Sequence, residues 1–280
     1  MTKLFHFTLL LAMVPTVAAV AESPKSPADS ARNRPAVFNA PVSVSNSHVG
    51  VGAKPIHGAE VILDGSRKTL DAKWTYWQGP RFSSSLPIKW KIVADPVGQG
   101  TVLMTDDPAA AGGKYGAADI VTIKAYRDFR LHIEFLVMHE HGNSGVYLQN
   151  RYEIQICDGD KTSHGMGAVI NESESPYHVY HGLGKWNAYD INFRAARFKD
   201  GKLVEKAMLT LYFNGTKVHI NQPINQVWGG EYSGIDGGND GGKGITDIPG
   251  GLKLQCEGHD VRYRNAWIKA IELKKPETDF

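Results

Sequence analysis

The sequence predicts an all-β fold, a sandwich or jelly roll of two antiparallel sheets, on three observations. Short segments alternate apolar and polar residues with period two, and turn residues separate them. After the N-terminal apolar run, no stretch carries a helical period. The clearest alternation lies at 129–137, where Leu131, Ile133, Phe135 and Val137 share one side and His132 and Glu134 the other. A strand with that pattern buries one face and leaves the other free for solvent or chemistry.

Residues 1–21 read as a secretory signal. Lys3 precedes an apolar run over 4–20, and Ala19-Val20-Ala21 is a small-x-small cleavage site. A secreted or periplasmic destination is expected, with no membrane association once the signal is cleaved. Residues 22–58 hold Pro24, Pro27, Pro35, Pro41 and Pro55 among many Ser and Ala, the composition of a largely disordered linker. A catalytic jelly-roll domain is expected over 59–275 and a short tail over 276–280. Strands are predicted at 59–63, 90–93, 101–104, 129–137, 145–149, 152–157, 189–194, 207–213, 216–220, 252–256 and 261–271. Asn214-Gly215 is the strongest hairpin turn. The Gly-dominated stretch 229–251 is either a rim to a binding face or a mobile insertion.

The 280 residues carry a net charge of +2, with no basic run. That balance argues against nucleic acid and favours an uncharged ligand. Strand parity places the two cysteines, Cys157 and Cys256, on opposite faces, so two unpaired thiols are expected. No cofactor is expected. His139 and His141 share a face of an extended segment, but no third ligand is in view to complete a divalent-metal site.

Parity also collects polar side chains. Glu153, Gln155 and Cys157 point away from Ile154 and Ile156, and Lys253, Gln255 and Glu257 point away from Leu252, Leu254 and Cys256. Arg262 and Arg264 lie opposite Val261, Tyr263, Asn265 and Trp267. Gathered on one sheet with Glu134 and His132, these residues would line a sugar groove, with Tyr147, Trp186, Tyr189 and Trp228 as candidate ring platforms. The competing reading is a solvated sheet face with weak cross-strand ion pairs. Glycoside hydrolysis uses two carboxyls, so Glu153 is paired with Glu257 or with Glu134.

Several motifs occur together in one order: Leu63-Asp64-Gly65, the 129–135 strand, Asn143 to Leu148, Tyr152 to Asp158, Lys185-Trp186-Asn187, Phe213-Asn214-Gly215, Leu254-Gln255 with Glu257-Gly258, and Tyr263-Arg264-Asn265. In that order they resemble the 3-keto-disaccharide hydrolase family over about 59–273. The resemblance implies a concanavalin A-like jelly roll, related to lectins and laminarinase-type glucanases. It also implies an oligosaccharide or 3-keto-glycoside as substrate. A C3 ketone acidifies the C2 proton, so one base, a donor to the leaving oxygen and donors to the enolate suffice. On that reading Glu153 is the base and Glu257 or His141 assists the leaving group. Glu134, Asn143, Tyr147, Gln155, Trp186, Gln255 and Arg264 bind the sugar. A non-catalytic, lectin-like module and a laminarinase-like endo-glucanase are the alternatives.

Overall fold

The computed structural model describes residues 48–77, 87–106, 118–225, 227 and 244–280. The signal expected at 1–21, most of the linker, Trp228 and most of the 229–251 stretch lie outside the described residues.

The fold is a jelly-roll sandwich of antiparallel sheets. In chain order the elements are β1 (Glu60–Leu63), α1 (Arg67–Lys73), β2 (Trp74–Tyr76), β3 (Lys91–Ala94), β4 (Thr101–Met104), β5 (Ile120–Thr122), β6 (Asp128–Val137), β7 (Asn143–Leu148) and β8 (Tyr152–Cys157). There follow β9 (Asn187–Arg194), β10 (Arg197–Lys199), β11 (Lys202–Glu205), β12 (Ala207–Phe213), β13 (Thr216–Ile224), β14 (Lys253–Leu254) and β15 (Val261–Ile271). The large sheet runs β13-β12-β9-β6-β15-β4-β3, with β1 also on β15. The small sheet runs β2-β5-β14-β7-β8. Strands β10 and β11 form a separate hairpin.

The core fills the space between the sheets. Leu131, Ile133, Phe135 and Val137 of β6 face inward with Tyr189 and Phe193 of β9 and Leu209 and Phe213 of β12, all buried. The small sheet supplies Val146, Leu148, Ile154 and Ile156. Aromatic pairs tie these rows, with Phe135 and Tyr189 centroids 4.6 Å apart and Phe129 and Phe193 5.1 Å apart. Tyr189 is therefore core packing and not a ring platform. Its hydroxyl donates to the Gln155 carbonyl at 2.6 Å, which pins β8 from beneath.

Helix α1 was not foreshadowed by any periodicity. It has seven residues and buries only Leu70, and the Ser66 hydroxyl caps it by accepting from Thr69 N. A second departure lies in β15. Its pairing with β6 shifts between Arg264 and Trp267, and Asn265 sits at φ 44°. This bulge reverses parity. Tyr263 points into the core, where its hydroxyl meets Ser144 Oγ at 2.5 Å. Beyond the bulge Trp267 turns to the outer face and stacks on His132, with centroids 5.4 Å apart. Trp267 and Asn265 thus leave the inward row expected of them.

Part of the stretch expected to be linker packs on the large sheet's outer face. Gly50 N donates to Asp190 Oδ2 and Gly52 N to Glu134 Oε1, both at 2.7 Å. Residues 276–280 also dock there. Thr278 is fully buried, and Asn192 Nδ2 donates to its carbonyl at 2.9 Å. The two cysteines are free thiols.

Candidate active site

The outer face of the small sheet carries the candidate site. Strands β7 and β8 pair Asn143 with Cys157, Gly145 with Gln155 and Tyr147 with Glu153. Lys253 of β14 pairs with Tyr147 from the other side, and Gln255 N donates to the Gly145 carbonyl at 3.1 Å. Because residues paired across strands share a face, Asn143, Tyr147, Glu153, Gln155 and Lys253 stand on one surface. Glu257 follows two residues after Gln255.

Lys253 forms the buried floor of this cluster. Its side chain is 2 % exposed, and its Nζ is 3.0 Å from Asp119 Oδ2. The same ammonium lies 3.7 Å from the Tyr147 ring centroid and 5.2 Å from that of Trp77. Asp119 also accepts from Cys256 N at 2.8 Å, which fixes its second oxygen. A buried cation is costly unless it is paired, and here both a carboxylate and aromatic faces surround it.

Above that floor the Tyr147 hydroxyl is bonded to Glu153 and receives a hydrogen bond from Gln255 Nε2 at 3.2 Å. Burial pushes the Glu153 carboxyl up to about 8, the Glu257 and Asp119 charges push the same way, and Tyr147 and Lys253 oppose them. Burial likewise raises Glu257, with Asp119 adding to it and Lys253 opposing. The two glutamates therefore share one electrostatic neighbourhood. The Glu153 carboxyl occupies the notch over Gly145. A Cβ built there would collide with its Oε1 and stand 3.0 Å from Tyr147 Cε2. Asn143 adds a buried Oδ1 that has no partner among the described residues.

Of the residues predicted for the site, Asn143, Tyr147, Glu153, Gln155, Gln255 and Glu257 fall together. Glu134, Arg264 and Trp186 do not. They lie on the outer face of the other sheet, across the full thickness of the sandwich. Arg264 binds Glu134 Oε2 at 2.7 Å and Asp95 Oδ2 at 2.5 Å, and its guanidinium lies 4.1 Å from the Trp186 ring centroid. The Trp186 indole also donates to Asp95 at 3.2 Å. His132 bridges Asp190 at 2.6 Å and Glu134 at 3.4 Å. This is a buried ionic network that fastens residues 50–52 to the sheet.

His141 is misplaced as well. The segment 139–141 is a turn closed by Gly142 N to the His139 carbonyl, with His141 at φ 59°, so the extended pair of histidines does not exist. His141 lines a separate open cleft beyond the Cys157 end of β8. From Glu153 to Cys157 alone the strand runs about 13 Å, out of reach of a shared proton. Among the described residues, no group of three or more His, Cys, Asp or Glu is arranged to hold a metal ion.

Two residues of this cluster, Trp77 and Asp119, escaped the sequence reading, and a third, Lys253, was placed on the right face but given no role. Trp77 and Asp119 flank β2 and β5, strands of three residues each, too short to show alternation. Lys253 sat on the correct face, and its signal was a lysine alternating with Gln255 and Glu257 inside a strand.

Comparison with known proteins agrees with this architecture. Residues 58–269 match the family described as the 3-keto-alpha-glucoside-1,2-lyase-like domain. No curated protein matches the sequence significantly. A candidate glycosyl hydrolase of Parabacteroides distasonis ATCC 8503, solved at 2.13 Å, is 23 % identical with a TM-score of 0.57, over 77 % of this chain and 84 % of that one. A second candidate glycosyl hydrolase of the same organism, at 1.70 Å, is 18 % identical with a TM-score of 0.47, over 76 % of this chain and all of that one. The carbohydrate-binding module CBM66 of Bacillus subtilis is 10 % identical with a TM-score of 0.37, over 74 % and 97 %. The first of these likenesses establishes a common fold.

Proposed function

The chain belongs to the 3-keto-alpha-glucoside-1,2-lyase-like family, and from that premise we propose that it cleaves glycosidic bonds of sugars already oxidised at C3. The observation that carries the reading is the Glu153 carboxyl, bonded to Tyr147 and held up at about 8 over a buried lysine. An ordinary carboxylate is a weak match for the proton next to a ketone. A carboxyl near 8 is a stronger base when ionised and still deprotonates close to neutral pH.

Glu153 takes the C2 proton, and the electron pair of that C–H bond forms the C2=C3 enolate on the former ketone oxygen. The Lys253 charge and the Tyr147 hydroxyl favour negative charge at this spot, since both are fixed before reaction. The enolate then reforms the ketone while the C1–O bond breaks, which leaves a C1=C2 double bond. Glu257, whose carboxyl burial raises, gives a proton to the departing oxygen. Water adds across the double bond, its oxygen to C1 and a proton to C2, for net hydrolysis. Gln155, Gln255 and Asn143 orient the ring through amide hydrogen bonds. The chain is exported in this account, with its mature form beginning near Glu22.

Incubation with 3-keto-trehalose, a 3-keto-glucoside and their unoxidised parents tests the proposal. Cleavage of the keto sugars alone is expected, with a rate that climbs as pH rises through about 8. Cleavage of an unoxidised β-glucan would instead mark an endo-glucanase, and binding without turnover a lectin-like module. Glu153→Gln should abolish turnover in a folded protein, and full activity in that variant would remove Glu153 as the base.

A further inference from the structure

The cleft that holds His141 belongs to no step of that chemistry. It opens at Asp158 and Gly159, immediately past Cys157, the last residue of the trough row on β8. Its volume is about 530 Å³. Tyr177 and Tyr180 form its aromatic wall, edge to face with centroids 5.6 Å apart. The wall is built, not loose. Tyr177 donates to Asp158 Oδ1 at 3.0 Å and accepts from Gly159 N at 3.1 Å, while Asp158 Oδ2 accepts from His141 N at 3.2 Å. His178, His181 and Glu140 supply exposed polar groups around it. The Tyr180 hydroxyl is left without a partner among the described residues, a polar atom whose burial costs free energy until something bonds to it.

We infer that this cleft is a distal subsite for a neutral sugar ring, so that the substrate is an oligosaccharide glycoside extending past the ring at Glu153. Rings of sugars take aromatic side chains against their C–H faces and carboxylates, imidazoles and phenols at their hydroxyls. Glu140 and Asp158 line the cleft, and a cation stands near it, Lys161, whose Nζ is 5.4 Å from the Tyr177 ring centroid. With two carboxylates against that one ammonium, a uronate or a phosphorylated sugar would meet a net negative surround. The distance suits a second point of attachment. The strand carries the trough about 13 Å from Glu153 to Cys157, further than one pyranose reaches. Binding energy gained there acts on the ground state and the transition state alike, which lowers KM and leaves kcat alone.

This inference rests on the reaction proposed above, and its test separates the two. Michaelis parameters are measured for a methyl 3-keto-glucoside and for a 3-keto-trisaccharide with the wild type, Tyr177→Ala and Tyr180→Phe. Tyr177→Ala should raise KM for the trisaccharide about tenfold with kcat unchanged, and should leave both constants for the methyl glycoside where they were. Tyr180→Phe, which keeps the ring, should show the same split at smaller size. An equal effect on both substrates, or none on the trisaccharide, overturns the subsite. If the wild type cleaves neither keto sugar, the reaction has failed, and the subsite is read by calorimetric titration of the unoxidised trisaccharide. Tighter binding than the monosaccharide, weakened in Tyr177→Ala, supports it. Equal affinities or no binding overturn it.

Discussion

Replacing Glu153 by glutamine should stabilise the protein while it destroys turnover, and the gain should grow with pH. The carboxyl stands at about 8 in the folded chain against an ordinary 4.5. Between those values the unfolded chain has released its proton and the folded chain keeps it. The unfolded state then binds fewer protons, so stability falls as pH rises across that window. Each pH unit is worth about 1.4 kcal/mol, which places the penalty at about 3 kcal/mol near pH 7 and at a ceiling of about 5 kcal/mol above pH 8. An amide keeps the shape and the Tyr147 contact and never ionises. Urea titrations of wild type and Glu153→Gln across about pH 4 to about pH 8.5 read the difference directly. Near the acid end the two proteins should be equal, and at neutral pH the variant should be firmer by about 3 kcal/mol. A difference that stays flat with pH would refute the claim that the fold holds this carboxyl neutral, and with it the match of Glu153 to a ketone's α-proton. If Glu153 is the base of the proposed reaction, that cost is activity traded against stability.

Gly145→Ala should lower kcat about a hundredfold with little change in circular dichroism, because the added methyl displaces the Glu153 carboxyl and leaves the strand intact. Lys253→Met should destabilise by about 3–5 kcal/mol, since it strands the Asp119 charge. Adding Asp119→Asn should restore much of that in chemical denaturation. Arg264→Ala should cost about 2 kcal/mol yet keep kcat/KM within about twofold, since the residue lies on the far side of the sandwich. The network around Glu134 should show its own pH window. Burial works against ionisation, but hydrogen bonds from His132, Asn265, Arg264 and Gly52 N win and hold Glu134 down at about 2. Its contribution is full above about pH 4.5 and fades as pH falls toward 2. Burial also opposes the charge on His132, yet Asp190 and Glu134 raise it to about 9. That contribution is full below about pH 6.5 and is lost as pH rises through 9. Glu134→Gln should therefore cost most, by thermal melts, between about pH 4.5 and about pH 6.5.

Alternation disclosed the long strands because each buries one complete face. The row from Leu131 to Val137 and the pair Ile154 and Ile156 were readable for that reason. Strands β2 and β5 have three residues each, less than two periods, and so they and the Trp77 and Asp119 beside them left no trace. Parity also cannot say to which sheet a strand belongs. Glu134 and Glu153 both point away from core residues, and both looked like one groove, but a sandwich has two outer faces. The bulge at Asn265 was invisible for a different cause. Asparagine tolerates positive φ without glycine's signature, and the reversal it makes sends Trp267 outward. What parity did resolve was relative position within β7, β8 and β14 with the Gln255 that follows it, where no bulge intervenes.

The hollow at Gly145 has a wider bearing. Only a hydrogen atom there leaves room for the Glu153 carboxyl beside the Tyr147 ring. In the proposed reaction, filling that hollow keeps the strands, amides and rings that would hold carbohydrate but pushes the base out of line with its proton. On that account the border between holding a sugar and breaking it is a single carbon wide.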